Sequence, residues 1–333
     1  MAATLKDVAS EAGVSLATAS RAFKDTDLLA TGTRQKVLDA AIKVGYEIPK
    51  LSRSKTIAVI VPDIANAVYA AFIKSVQDKA WPERHRMLLA DTGEDPAREL
   101  AFMRELGKDV DGIVICSPRS IPKAITEAVG EIPLVVVNGT ADHAPSVLMD
   151  VRQGLRQAVE HLYSLGHHHI AFVPGPANAW ANRTRLGTLT DLAAEWEMEL
   201  TVVGNQAASV QGGLAAAAAV AATGATAVIA YNDLVALGLQ AGARSLGLRC
   251  PEDLSIMGID DLDVAAVSDP GLTSIRVAIR QSGALSLELL LELIAGKTPE
   301  PSVLSLDSQL IVRGSVKSMD VTKAGSRNGQ YET

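Results

Sequence analysis

TLKDVASEAGVSLATASRAFK (residues 4–24) reads as two short helices joined by a tight turn. Thr4 is a good N-cap, and Asp7 in the first turn complements the helix dipole. Leu5, Val8, Ala9 and Ala12 form one apolar stripe at helical spacing. Gly13 ends that helix where a left-handed residue is wanted, and Val14 plugs the turn. Ser15 caps a second helix whose inner face is Ala19, Ala22 and Phe23. The small residues Ala9, Gly13, Val14 and Ala19 let the two helices cross closely, as in a helix-turn-helix. A plain αα-hairpin fits the same spacing. Thr33 caps a third predicted helix, RQKVLDAAIKVG, with Val37, Ala40, Ala41 and Val44 inward and Gly45 at its end. Residues 1–48 thus form a three-helix head.

Working outward, 333 residues exceed one compact core and predict further domains. Nearly half of the chain is apolar and only 4% aromatic, a composition suited to an α/β protein with a buried parallel sheet. No apolar run is long enough to cross a bilayer. The polar N-terminal helix pattern predicts no signal peptide, and cytoplasmic localisation is expected. Cys116 and Cys250 are too few for a disulfide framework and have no metal-ligand spacing. The net charge of -7 divides unevenly. Residues 1–55 carry nine Lys/Arg against six Asp/Glu, and the remainder 22 against 32. A basic head on an acidic body suits a nucleic-acid-binding head.

From Thr56 onward short β-branched runs alternate with helical stretches: TIAVIVPD, RMLLAD, DGIVIC, PLVVVN, SVLMD, HIAFVPG, LTVVG, AVIAYN and LSIMGID. Such alternation predicts parallel sheets covered by helices on both faces. Ligands of such sheets sit at the carboxyl ends of the strands. Residues 317–333 are polar and turn-rich, as in a disordered tail without Leu heptads.

LKDVASEAGVSLATASRAF and TRQKVLDAAIKVGYEIP resemble the head of the lac repressor (LacI/GalR) family of bacterial transcription regulators. The likeness continues in order through VDGIVI (110–115), HLYSLGHHHIAFVPGP (161–176), AYNDLVALG (230–238), CPEDLSIMGIDD (250–261) and LTSI (272–275). It implies a periplasmic-binding-protein-like core over 56–316, made of two doubly wound subdomains joined by three crossovers. The first is expected at about 56–161 and 278–306, the second at about 162–277 and 307–316. It further implies a dimeric regulator, probed by double-stranded operator DNA at the head and by a small effector in the cleft.

In the family, the two residues after the capping serine and a later arginine reach bases. Here these are Leu16, Ala17 and Arg21. Arg21 can donate two bonds to a guanine, whereas Leu16 and Ala17 offer only apolar contact, for example to a thymine methyl. Ser15, Thr18, Ser20, Lys24 and Arg34 are candidates for phosphates. Relatives carry a longer linker that forms a hinge helix and wedges a leucine into the minor groove. Residues 49–55 form a shortened one, with Leu51 the only leucine, so a full hinge helix is not expected.

Asp150, Arg185, Asn232 and Asp260 match the family's effector contacts by local motif, with Tyr69 as the opposite wall. An arginine with two carboxylates and an amide can hold vicinal hydroxyls, which points to a sugar, polyol or nucleoside, although an amine- or base-bearing ligand could use the same set. Where relatives place an aromatic, this chain has Ala207, and Trp180 is the expected substitute. Val277 replaces a usual polar contact.

Other conspicuous residues have bland readings. His167, His168 and His169 lack carboxylate or cysteine partners at ligand spacing, so no metal is expected. No Gly-rich nucleotide motif is present and no cofactor is implied. Asp260-Asp261 lacks a nucleophile–base arrangement, so no catalytic residue is assigned. The competing class is a solute-binding protein or cleft enzyme with an unrelated helical head. The basic head and the absence of a signal pattern argue against it.

Overall fold

The computed structural model describes residues 3–24, 29, 31–46 and 56–319, with the backbone alone for Lys24 and Thr31. Two compact units divide between Thr56 and Ile57.

The head contains α1 (Leu5–Ala12), α2 (Leu16–Lys24) and α3 (Thr31–Val44). At its start the Thr4 amide and hydroxyl both donate to Asp7 Oδ2, at 2.8 and 2.7 Å, satisfying groups a helix start leaves open. Gly13 takes the left-handed conformation (φ 62°, ψ 40°), and the Val14 amide returns to the Ala9 carbonyl at 3.0 Å. Val8, Ala12, Ala19, Ala22, Val37 and Ala41 are almost fully buried. Phe23 packs on Tyr46 at a centroid distance of 5.7 Å. The third helix begins at Thr31, so Thr33 lies inside it rather than at its cap. The expected hinge residues, Leu51 among them, lie outside the described residues.

The core has two lobes. The first holds β1 (Thr56–Val61), α4 (Ala67–Ala80), β2 (Arg86–Asp91), α5 (Pro96–Leu106), β3 (Gly112–Cys116), α6 (Pro122–Val129), β4 (Leu134–Val137) and β5 (Ser146–Met149). The second holds α7 (Arg152–Ser164), β6 (His169–Val173), α8 (Trp180–Glu195), β7 (Glu199–Val202), α9 (Val210–Ala222), β8 (Ala227–Ala230), α10 (Asp233–Ser245), β9 (Ser255–Asp260), α11 (Asp263–Val267) and β10 (Thr273–Arg276). The chain then crosses back for α12 (Ile279–Ile294) and β11 (Val303–Leu306), and finally forward for β12 (Gln309–Ile311).

Both sheets wind alike, in the orders β2-β1-β3-β4-β5-β11 and β7-β6-β8-β9-β10-β12. The described pairings are parallel except β10 with β12. Every residue of β1, β3, β4, β8 and β9 is buried, which is why these strands read as unbroken apolar runs. Each order reverses direction beside its first strand, and that switch point is where such sheets open a crevice.

Two details differ from expectation. The first crossover falls at Asp150–Val151, so α7, placed by the sequence reading in the first lobe, packs on α8, β10 and β12 of the second. Gly154 is the reason for the fit, since a Cβ there would lie 2.3 Å from the Ile275 side chain. In addition, Lys317–Met319, expected in the tail, run along the second lobe. The Met319 amide donates to the Leu165 carbonyl at 2.8 Å, and His167 Nε2 lies 3.0 Å from the Lys317 carbonyl. The short β10, β11 and β12 escaped the strand pattern because their few residues alternate in exposure or lack β-branched runs. Behind the three crossovers lies a hollow of about 420 Å³ lined by Gln153, Gln157, Arg276–Ala278 and Asp307–Gln309.

In α9 and α10 the Ala-rich stretch serves close approach. A Cβ on Gly213 would sit 2.1 Å from the Val235 carbonyl oxygen, and one on Gly238 2.1 Å from that of Val210. Gly187 in α8 faces open space. Alanine in an open helix gains up to about 1 kcal/mol over glycine, but overpacking against a backbone costs roughly 1–3 kcal/mol. Gly187→Ala should therefore raise the urea midpoint and Gly213→Ala lower it. Equal shifts in the two variants would refute the close-approach account.

Candidate functional site

A cavity between the lobes lies at the carboxyl ends of the strands. It is lined by Asn66, Val68, Tyr69, Ser117, Asn138, Met149, Ala181, Arg185, Tyr231, Asn232 and Asp260. Its volume is about 20 Å³, room for about one water. Ser117, Asn138 and Tyr231 each follow directly on a strand, so the switch-point geometry delivers them to one place. Ser117 and Asn138 adopt left-handed backbone (φ 50° and 52°), and Asp260 has φ 124°. Such conformations cost free energy in non-glycine residues and gather at functional sites.

From the second lobe, α8 projects Arg185, whose guanidinium lies 4.5 Å from the centre of the Tyr231 ring. One of its NH groups donates to the Tyr231 carbonyl. Another lies 3.5 Å from Asp260 Oδ1, at the outer limit of a hydrogen bond. Its Nε is buried with no partner among the described residues. Burial pushes Asp260 up to about 8, against the opposing pull of the Arg185 charge. Asn232 caps α10 through the Val235 amide at 2.9 Å. The next residue, Asp233, is fully buried and raised by burial to about 6. It accepts from the Ser274 hydroxyl and from the Leu262 amide at 2.7 Å. Gly258 makes this possible, because a Cβ there would fall 2.1 Å from Asp233 Oδ1. The end of β9 that carries Asp260 is thus pinned from behind.

On the first-lobe side, Tyr69 is buried and its phenol is raised by burial. Asn138 donates from Nδ2 to the Ser117 hydroxyl at 3.2 Å, and its Oδ1 is buried with no partner among the described residues. Beyond Asp260 the cleft opens into a larger pocket of about 480 Å³, bounded by Ala67 and Ala71 of α4 across from Leu262, Val264 and Val277–Gln281.

Of the six residues expected at the cleft, Tyr69, Arg185, Asn232 and Asp260 line this cavity together. Asp150 and Trp180 do not. The Asp150 carboxylate turns to the start of α7, where it accepts from the Arg152 amide at 2.9 Å and from the Arg152 guanidinium. These bonds hold its carboxyl below the usual range. Trp180 packs, half-buried, against the second-lobe core. Tyr231 is the aromatic that the second lobe contributes to the lining, and Ser117 and Asn138 are polar residues of its first-lobe wall. Ser117 is the first residue past the predicted run DGIVIC, whereas Asn138 and Tyr231 fall inside the predicted runs PLVVVN and AVIAYN. The three histidines diverge as expected for structural roles. His167 bonds Thr226 at 2.8 Å, His168 meets Tyr163 edge-on, and His169 bonds Thr201 at 2.9 Å.

On the head, Leu16 is 52% exposed, and Ala17 and Arg21 are also exposed. Ser15 Oγ accepts from the Thr18 amide at 3.1 Å and shares a bond with the Thr18 hydroxyl at 2.8 Å. Ser20 and Arg34 are half-buried. The Lys24 side chain and Leu51 lie outside the described residues.

Comparison with known proteins decides the family. Residues 4–48 match the family described as bacterial regulatory proteins, lacI family, and residues 159–316 match the periplasmic binding protein-like domain. An HTH-type transcriptional regulator encoded in the aml 5' region of Streptomyces limosus is 33% identical over 93% of both chains. This chain belongs to the lacI family of bacterial regulators. Among solved structures, the lac repressor dimer bound to operator and the anti-inducer ONPF superposes with a TM-score of 0.73 at 25% identity, covering 96% of this chain and 100% of that one. A LacI family regulator from Enterococcus faecalis V583 with bound ribose gives 0.73 at 31% identity, over 80% and 100%. The protein is therefore a DNA-binding transcription regulator rather than an enzyme. Among the described residues no helix is long and apolar enough to cross a membrane, and no cluster of three metal-ligating side chains occurs.

The raised Asp260 has a signed consequence. The folded core keeps a proton that the unfolded chain releases above its ordinary value of 3.8. The stability tied to this proton is complete below that value and is lost as pH climbs towards about 8. Asp260→Asn removes the titration. The melting temperature of the variant relative to the parent should rise between pH 5 and pH 8.5, and a difference constant across that range would contradict the assignment.

Proposed function

We propose that this regulator is a repressor that binds a palindromic operator as a homodimer in the cytoplasm, and that a small hydroxylated effector in the inter-lobe cleft controls it. The observation that carries this reading is the Arg185, Asp260 and Asn232 set meeting Tyr69 and Asn138 across a cavity built at two switch points. A guanidinium donor and an amide acceptor on opposite lobes, each without a partner among the described residues, suit a ligand whose hydroxyls both donate and accept. The ribose bound to the E. faecalis relative supports a sugar-like ligand. The larger pocket beside Asp260 falls in the size range of small-molecule sites.

The mechanism is a change in lobe angle. A ligand biases that equilibrium only through its differential affinity for the two arrangements, and here it must part Tyr69 from Tyr231 to enter. On the DNA side Arg21 reads a guanine, Leu16 and Ala17 contact apolar base edges, and Ser15, Thr18, Ser20, Lys24 and Arg34 meet phosphates. Leu51 inserts weakly or not at all. Ser15 and Thr18 spend part of their hydrogen-bonding capacity on each other, so Arg21 carries most of the direct readout.

Two measurements test this. Gel shifts on palindromic fragments across a salt series should show a sequence-preferring band that weakens with salt. Arg21→Gln should cost about 1–3 kcal/mol, some five- to 150-fold in affinity, and relax preference at one base pair. A uniform loss across all sequences would reassign Arg21 to the phosphates. In a thermal-shift screen of sugars, polyols and nucleosides, any hit should vanish in Arg185→Ala. A hit that survives places the effector elsewhere.

A further inference from the structure

The first-lobe wall of the cavity conceals a second guanidinium. Arg119 lies three residues beyond β3, and its side chain is 1% exposed. It grips Glu94 in a two-point fork, from Nε to Oε2 and from one NH group to Oε1 at 2.9 Å. The same NH group lies 3.4 Å from the Tyr69 hydroxyl, and the other donates to the Ser117 carbonyl at 2.6 Å. Arg119 thus touches two residues of the cavity wall directly. Glu94 differs in kind. It sits on the loop after β2 with left-handed backbone (φ 64°), and its side chain is one-third exposed. The cation is fixed and buried, while the anion reaches in from the surface.

Stability is a poor explanation for this pair. Burying a guanidinium and a carboxylate costs about as much as their attraction returns, and apolar replacements are often neutral or better. Across the cavity Arg185 keeps a buried Nε without a partner and holds Asp260 only at 3.5 Å. Two arginines from opposite lobes therefore each contact one tyrosine of the cavity wall, Arg185 loosely matched and Arg119 matched by a residue one-third exposed.

We propose that Glu94 is a stand-in for an acidic group of the effector, and that Arg119 and Arg185 together select a sugar bearing a carboxylate or phosphate. This rests on the reading of the cleft as the effector site. The incoming acid takes the fork on Arg119, whose planar geometry fits either anion, and Glu94 turns out to solvent. One anion replaces another, so no buried charge is left unpaired. A neutral hydroxyl cannot make that exchange, because Arg119 would then lose its counter-charge.

The test uses the full chain. Thermal shift with inorganic phosphate and with acetate compares the parent, Glu94→Ala, and Glu94→Ala combined with Arg119→Gln, with circular dichroism as the check on folding. Glu94→Ala should gain anion-dependent stabilisation of several degrees that the parent lacks and the double variant loses. No gain in Glu94→Ala overturns the stand-in. In a second arm galacturonate, gluconate and glucose 6-phosphate are titrated against galactose and glucose. At least one acid should bind, the carboxylates and the phosphate telling the two anion classes apart, and Arg119→Lys, which keeps the charge but loses the fork, should weaken it roughly tenfold or more. If neutral sugars bind and release operator while no acid does, the acidic class is wrong and the effector cleft stands. If acids bind equally well to Arg119→Lys, the assignment of Arg119 falls.

Discussion

The cleft depends on the Tyr231 ring being held flat between two groups. On one side lies Gly175, where a Cβ would come within 2.5 Å of the ring, and on the other lies the Arg185 guanidinium. The stack fixes the direction of Arg185, and the bond to the Tyr231 carbonyl locks it. A cation over an aromatic face in a desolvated site is a strong contact, and here it joins the ends of β6 and β8 to α8. Asp260 and Asn232 are placed relative to that stack. Asp233 then braces the far side through Ser274 and Leu262.

This architecture explains which parts of the chain could be read in advance. The buried strands were legible because β-branched residues on both faces of a parallel sheet leave unbroken runs. The head was legible because capping chemistry and a glycine-terminated turn leave fixed spacings, and the Thr4–Asp7 pair adopts the bonds that its sequence suggests. Arg185, Asn232 and Asp260 were legible as members of local motifs. Trp180 and Asp150 fall outside the cavity lining for opposite reasons. A half-buried tryptophan at a helix start can serve a core as readily as a ligand, and a carboxylate two residues before an arginine has a partner within its own turn. Ser117 and Asn138 follow strands but sit in none of the family motifs quoted above, Tyr231 sits in AYNDLVALG without being singled out there, and the strand order brings the three together. Arg119 and Glu94 are 25 residues apart, and nothing in either neighbourhood announces the other.

The head and the cleft solve similar problems with different economies. The recognition helix presents few donors, and the Ser15 hydroxyl caps it while bonding the Thr18 hydroxyl. In the proposed reading, specificity there leans on one arginine and on apolar contact. The cleft is rich in polar groups yet closed to about 20 Å³, with Tyr69 and Tyr231 both in its wall. Each lobe supplies one ring to the cavity lining, so in the proposed mechanism opening the cleft contributes to ligand affinity alongside the bonds the ligand makes.

The hollow behind the crossovers gives that separation a mechanical meaning. Three strands of chain pass between the lobes, and side chains on both flanks of them leave about 420 Å³ unfilled. A packed hinge would resist rotation as a solid core resists compression. An open hollow of that size leaves the connecting segments little contact to break. In the proposed lobe rotation this gives a lever with clearance at its pivot, its stiffness placed at the jaws.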